Sequence, residues 1–168
     1  MTGHETAERQ PDEYFMRRAI ALARNAGNAG GAVPIGCVIV RDGAIIGEGV
    51  NEVAEQHDPT AHAEIVAIRR ASADNATLRG ATLYSTLQPC GMCSMASIWS
   101  HLSRIVYGAE RDQVHEMYFE DRHYDTMDFI RDAFRNDLTF TGGVLGDECA
   151  ALYYRPGDQV PREEQGNI

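Results

Sequence analysis

The sequence has no apolar run approaching the ~20 residues of a membrane span, so no spanning helix and no membrane partner are expected. Residues 1–10 are polar and acidic and lack the apolar stretch of a secretory signal, which points to a soluble, cytoplasmic protein. Basic residues are scarce: 15 against 25 acidic ones, for a formal net charge of −10. Affinity for nucleic acid rests largely on neutralising phosphates, so this balance argues against a nucleic-acid partner and for a small neutral substrate. Repeats, low-complexity segments and linkers are missing too. Four cysteines without a secretory context do not make a disulfide framework.

What remains is an ordinary globular composition, 43% hydrophobic and 24% charged over 168 residues. That length fits one domain over 1–168, with a core of about 11–156 and a polar tail at 157–168. Pro11-Asp12-Glu13 opens a helix whose inward stripe is Phe15, Ala19 and Leu22, ended by Gly27 and Gly30-Gly31. Residues 35–41 and 44–50 are β-rich runs around Asp42-Gly43, a hairpin signal. Asp58-Pro59 predicts the start of a second helix running to about Ala71, with Ile65 and Ile68 inward. A strand over 81–86, an apolar helix over 91–100 and a strand over 104–108 follow. Residues 110–137 read as one or two helices with a loop, 138–141 as a last strand, and 147–154 as a last helix stopped by Pro156. Helices alternating with strands give an α/β fold.

Chemistry concentrates in two short segments, His62-Ala63-Glu64 and Pro89-Cys90-Gly91-Met92-Cys93. Zn²⁺ favours imidazole and thiolate ligands, and a catalytic site keeps a fourth position for water. His62, Cys90 and Cys93 supply one nitrogen and two sulfurs, and a spacing of three puts both thiols on one helical turn. Each segment sits at a helix N-terminus, whose dipole favours thiolate over thiol. Glu64, two residues beyond His62, reaches the open side without being a ligand and can move protons between water, a ring nitrogen and departing ammonia. A structural zinc knuckle would need a fourth ligand, and Cys37 and Cys149 are isolated in apolar surroundings that read as core. A redox Cys-x-x-Cys pair would leave His-x-Glu without a use. His57, His101, His115 and His123 read as surface or internally satisfied histidines.

The combined pattern His-x-Glu…Pro-Cys-x-x-Cys is the signature of zinc nucleobase deaminases. The chain resembles the cytidine deaminase-like superfamily from about Tyr14 to Tyr154, in its branch of tRNA adenosine, guanine and fungal-type cytosine deaminases. The resemblance is carried by Val33-Pro34-Ile35-Gly36, by Gly47-Glu48-Gly49-Val50-Asn51, by residues 57–64 and by residues 146–152. It implies a three-layer α/β/α fold with a five-stranded mixed sheet, and a homodimer with active sites near the interface. It further implies a hydrolytic deaminase in which zinc-activated hydroxide attacks the amino-bearing ring carbon and Glu64 shuttles the protons.

Substrate contacts implied by the same resemblance are Asn51, Ala63 and Gln88, the last through its backbone carbonyl. Phe119-Glu120-Asp121 followed by Tyr124 resembles the Phe-Asp-Asp…Tyr stretch of bacterial guanine deaminases. This adds Tyr118, Phe119 and Asp121 (or Glu120) as pocket residues. A guanine-type base is therefore the first expectation, with cytosine or a nucleoside as the alternative. Adenosine in tRNA comes behind both, because residues 110–121 and the acidic C-terminus depart from the editing enzymes. A tRNA reader would have to use a local basic patch such as Arg69, Arg70 and Arg79.

Overall fold

A computed structural model of the chain describes residues 11–27, 33–118 and 138–161. Its centre is a five-stranded mixed sheet in the order β2-β1-β3-β4-β5, with β1 Gly36–Arg41, β2 Ala44–Val50, β3 Thr82–Leu87, β4 Arg104–Ala109 and β5 Thr139–Thr141. β1 pairs antiparallel with both β2 and β3, whereas β3, β4 and β5 run parallel. It follows that β2 also runs parallel to β3, so the carboxyl ends of β2, β3 and β4 share one edge of the sheet. Asp42-Gly43 forms the hairpin turn, with φ of 53° and 78°, as a two-residue connection between right-twisted strands requires.

The helices are α1 Asp12–Gly27, α2 Val53–Gln56, α3 Ala63–Ala73, α4 Gly91–Trp99 and α5 Gly146–Ala150. Strand alternation assigns them to faces. A Cβ on Gly36 would strike Ala19 of α1, and one on Gly108 would strike Cys149 of α5. A Cβ on Gly47 or Gly49 would strike Ala67 or Ala63 of α3. Gly36 and Gly49 sit at neighbouring register positions, which face opposite ways. α1 and α5 thus cover one face and α3 the other, the three layers expected. The core between them includes Met16, Val38, Ile39, Leu83, Ile105 and Val106, all fully buried. Cys37 and Cys149 are buried free thiols in that core, as the sequence suggested.

Three boundaries differ from expectation. The second long helix begins at Ala63, not at Asp58-Pro59. Asp58 Oδ1 instead accepts from the Thr60 amide (2.8 Å) and hydroxyl (2.7 Å), so its capping capacity closes a turn. The short helix α2 ahead of it was not foreseen. The last helix is brief, ending at Ala150 rather than near Tyr154, and continues as turns. In the region read as helical over 110–137, the described part holds two 3₁₀ turns, Arg111–Gln113 and Glu116–Tyr118; residues 119–137 lie outside the described residues. No helix among the described residues is long and apolar enough to cross a membrane.

Candidate active site

Two helix N-termini meet at the shared strand edge. His62 is the residue before α3 and Cys90 the residue before α4, both extended (φ −65°, ψ 158° and φ −69°, ψ 173°), and neither side chain caps its own helix. Both side chains instead converge between the two helix starts. His62 Nδ1 lies 3.7 Å from Cys90 Sγ and 3.7 Å from Cys93 Sγ. Zinc bonds of ~2.3 Å to sulfur and ~2.0–2.1 Å to nitrogen, arranged tetrahedrally, would separate N from S by about 3.6 Å. Both nitrogen–sulfur distances match that ion, and the three ligand atoms, all within 4.8 Å of one another, are the one such cluster found among the described residues.

The electrostatics suit a cation. The Cys90 thiol is pulled down to about 4, first by the hydrogen bond from Cys93, against burial, and then by the one from His62. The Cys93 thiol is pushed well up, first by donating that hydrogen bond and then by burial. A divalent ion bound between them would hold both sulfurs as thiolates.

Glu64, in the first turn of α3, is only 3% exposed. Its carboxyl is raised above the usual range, first by burial and then by the Cys90 thiolate, with His62 acting in the opposite direction. Ser85 Oγ donates to Oε1 at 3.0 Å. The other oxygen, Oε2, is 3.5 Å from Cys93 Sγ and so faces the ligand cluster. Ser85 reaches Glu64 because it pairs with Cys37 on β1, and Cys37 pairs with Gly49 on the α3 face. Sequence reading did not single out Ser85. Nothing in the sequence sets it apart from Thr82, Tyr84 and Thr86, the other hydroxyl-bearing residues of β3.

The remaining expected residues divide. Asn51 follows β2 and is buried, its Oδ1 accepting from the Val53 amide at 3.2 Å. The Glu52 amide donates to Ala61 O at 2.9 Å, which brings Asn51 beside His62. Ala63 opens α3, fully buried, in a turn whose amides have no intrahelical acceptor. Gln88 lies between β3 and Cys90, and its side-chain Oε1 accepts from the Arg111 amide at 3.1 Å. Tyr118 stacks edge-on against Tyr153 (5.1 Å), and its hydroxyl accepts from the Tyr154 amide at 3.2 Å, tying it to the C-terminal segment. Phe119, Glu120, Asp121, His123 and Tyr124 lie outside the described residues. Of the other histidines, His57 and His101 are exposed, and His115 Nδ1 accepts from the Met117 amide at 3.1 Å.

Comparison with known proteins decides the family. Residues 9–109 match the model of the cytidine and deoxycytidylate deaminase zinc-binding region. The chain belongs to this family of zinc deaminases. A tRNA-specific adenosine deaminase of Buchnera aphidicola subsp. Baizongia pistaciae is 42% identical over 143 residues, 84% of this chain and 85% of that protein. A guanine deaminase of Bacillus subtilis is 44% identical over 111 residues, 65% and 71% of the two chains. Among solved structures, the guanine deaminase of Nitrosomonas europaea superposes with a TM-score of 0.73 at 28% identity, covering 83% of this chain and 81% of that one. Zinc is accordingly the cofactor of this deaminase, with one histidine and two cysteines placed to bind it. The expectation against nucleic acid does not carry over from charge alone, because relatives matched over most of their length act on tRNA by name.

Proposed function

We propose that the chain hydrolyses the exocyclic amine of a free aminated purine base, guanine-type first, releasing ammonia. The observation that carries this reading is the buried Glu64 carboxylate, held by Ser85 on one oxygen and facing the His62-Cys90-Cys93 cluster with the other. Zinc, when bound there, supplies Lewis acidity with a fourth coordination position left for water. The chain does the rest. Glu64 Oε2 takes one proton of the attacking water and hands it to the adjacent ring nitrogen; it then takes the second from the hydroxyl newly bound to the ring carbon and delivers it to the amine as the C–N bond breaks and the carbonyl forms. To Asn51, whose side-chain oxygen is taken by the Val53 amide, we assign the orientation of the base through its amide nitrogen, and to the Ala63 amide and the Gln88 carbonyl contacts with the reacting group. Tyr118 stands where the chain enters the Phe119–Asp121 segment, to which we assign the far edge of the purine.

A free base is favoured over tRNA by charge as well as by that segment. Two of the three arginines a tRNA reader would use are paired with carboxylates: Arg69 with Asp58 (3.1 Å) and Arg70 with Glu52 (2.6 Å). The second reading, deamination of adenosine in tRNA, is favoured by the identity and coverage of the Buchnera relative. One panel separates them. Zinc-loaded protein is given guanine, cytosine, adenine, their nucleosides and unmodified tRNA, with ammonia and inosine as readouts. Turnover of guanine above a Glu64→Ala control supports the first reading. Inosine in tRNA without base turnover replaces it with the second.

We further assign a homodimer to the outer face of α4, where Met92, Met95, Ala96 and Trp99 form a stripe without charge and Trp99 is 76% exposed. Light scattering showing a monomer at micromolar concentration would remove that assignment. Four free thiols, two of them ligands, suit a reducing compartment such as the cytoplasm.

A further inference from the structure

The loop over residues 51–62 joins the proposed base contact to the histidine ligand, and two consecutive arginines of α3 hold it at both ends. At the first end, Arg70 donates to Glu52 Oε1 (2.6 Å) and to Glu48 O (3.1 Å), while Gln56 donates to Glu52 Oε2 (2.5 Å). Both oxygens of the residue next to Asn51 are thereby engaged. At the second end, Arg69 donates to Asp58 Oδ2 (3.1 Å) and to Thr60 Oγ1 (3.3 Å). Asp58 closes the turn that leads into His62, and its carboxyl is held below the usual range first by Thr60 and also by Arg69. The Glu52 amide and Ala61 carbonyl tie the two ends together. Because α3 carries Glu64 in its first turn, the arginines fix the loop to the same rigid element as the proton carrier.

We infer that Arg70, seconded by Arg69, is a positioning residue for substrate: through Glu52 it sets Asn51 at the distance from the zinc site that base binding needs. The inference rests on the reading of Asn51 as a base contact. Neither arginine touches substrate. Their effect passes through the loop, so it belongs in KM rather than in the proton transfers of Glu64.

The test uses the full, zinc-loaded chain with guanine, or whichever base of the panel turns over fastest. Variants are Asn51→Ala, Arg70→Gln, their combination, and the charge swap Arg70→Glu with Glu52→Arg. Arg79→Gln, which removes an equal charge away from the loop, is the control. An ion pair with one partner mostly buried is worth up to about 1 kcal/mol, so Arg70→Gln should raise KM about threefold to fivefold with kcat and zinc content kept. The combination should be no worse than Asn51→Ala alone, since the arginine acts only through that residue. The charge swap restores the ion pair but not the bond to the Glu48 carbonyl, so it should recover part of the lost KM, and Arg79→Gln should be silent. Should Arg70→Gln not fold, Arg70→Lys replaces it: one ammonium cannot reach both Glu52 and Glu48, so a smaller rise in KM is expected. If Asn51→Ala raises KM but Arg70→Gln and Arg70→Lys do not, or if the effects add, the positioning role is wrong while the base contact stands. If Asn51→Ala leaves KM unchanged, the base contact fails and the inference with it. If arginine loss weakens tRNA binding in a gel shift and leaves KM for the base alone, the pair serves RNA and the inference is overturned.

Discussion

Ser85→Ala tests the site most sharply, because it removes one hydroxyl from a fully buried residue and leaves every ligand in place. Ser85 Oγ donates to Glu64 Oε1 at 3.0 Å, and among the described residues the only other side chain within reach of that carboxylate is the Cys93 thiol, 3.5 Å from Oε2. With zinc bound Cys93 is a thiolate and can no longer donate. The Ser85 hydroxyl is then the side-chain donor that keeps Oε1 back and Oε2 forward. A hydrogen bond to a charged group is worth ~1.5–3 kcal/mol, and a buried carboxylate that loses it has no water to replace it. Expressed in the rate, that is a fall of about 10- to 150-fold in kcat/KM. The assay is steady-state ammonia release by Ser85→Ala at neutral pH, beside zinc content and thermal melting. Zinc should stay stoichiometric, since no ligand has changed, and the fold should survive a change this small. A kcat/KM within about twofold of the unaltered protein would refute the argument, for it would mean that Glu64 needs no such holding.

Glu64→Gln should keep zinc and the Ser85 hydrogen bond yet lose on the order of 10²–10⁴ in kcat, because an amide cannot carry the proton; retained turnover would dismiss the assigned role. Gly49→Ala should destabilise the chain by about 1–3 kcal/mol or more in urea, as the new methyl would meet the Ala63 carbonyl and lie 2.7 Å from the Ala67 nitrogen. An unchanged urea midpoint would mean that α3 sits farther from β2 than described. Arg18→Gln tests a pH effect. The hydrogen bond from Arg18 holds the Glu48 carboxyl below its ordinary value. A depressed carboxylate stabilises the fold above its unfolded pKa of about 4.3, and that contribution fades as pH falls through the lowered value. Both partners are partly exposed, so the variant should be weaker by less than about 1 kcal/mol at pH 7, and no weaker in strong acid. A loss that persists in acid would assign the effect to packing.

Much of the fold was legible because its signals are local. The Asp42-Gly43 turn between two β-rich runs placed the hairpin, and the stripe of α1 declared its inner face. The start of α3 was misread because Asp58 can cap a helix or close a turn with Thr60, and only the packed loop selects the turn. Ser85 escaped notice because a hydroxyl in a buried strand has no sequence mark of its partner. Arg69 and Arg70 read as a candidate basic patch for a related reason: charge is visible in a sequence, but the carboxylates that neutralise it are not.

The sequence by itself determined the reaction type. A histidine with an acid two residues on, and two cysteines three apart, are each close pairs along the chain, and those residue types in that pattern name the chemistry. Tertiary structure alone decided that the two turns meet, through parallel strand ends that deliver His62 and Cys90 to one edge of the sheet. It also decided which neighbours serve them: Ser85 from the middle strand against Glu64, and the arginines of α3 against the loop of Asn51. The physical reason is sequence separation, for hydrogen bonds between residues brought together across a sheet are set by strand register and helix packing rather than by spacing along the chain.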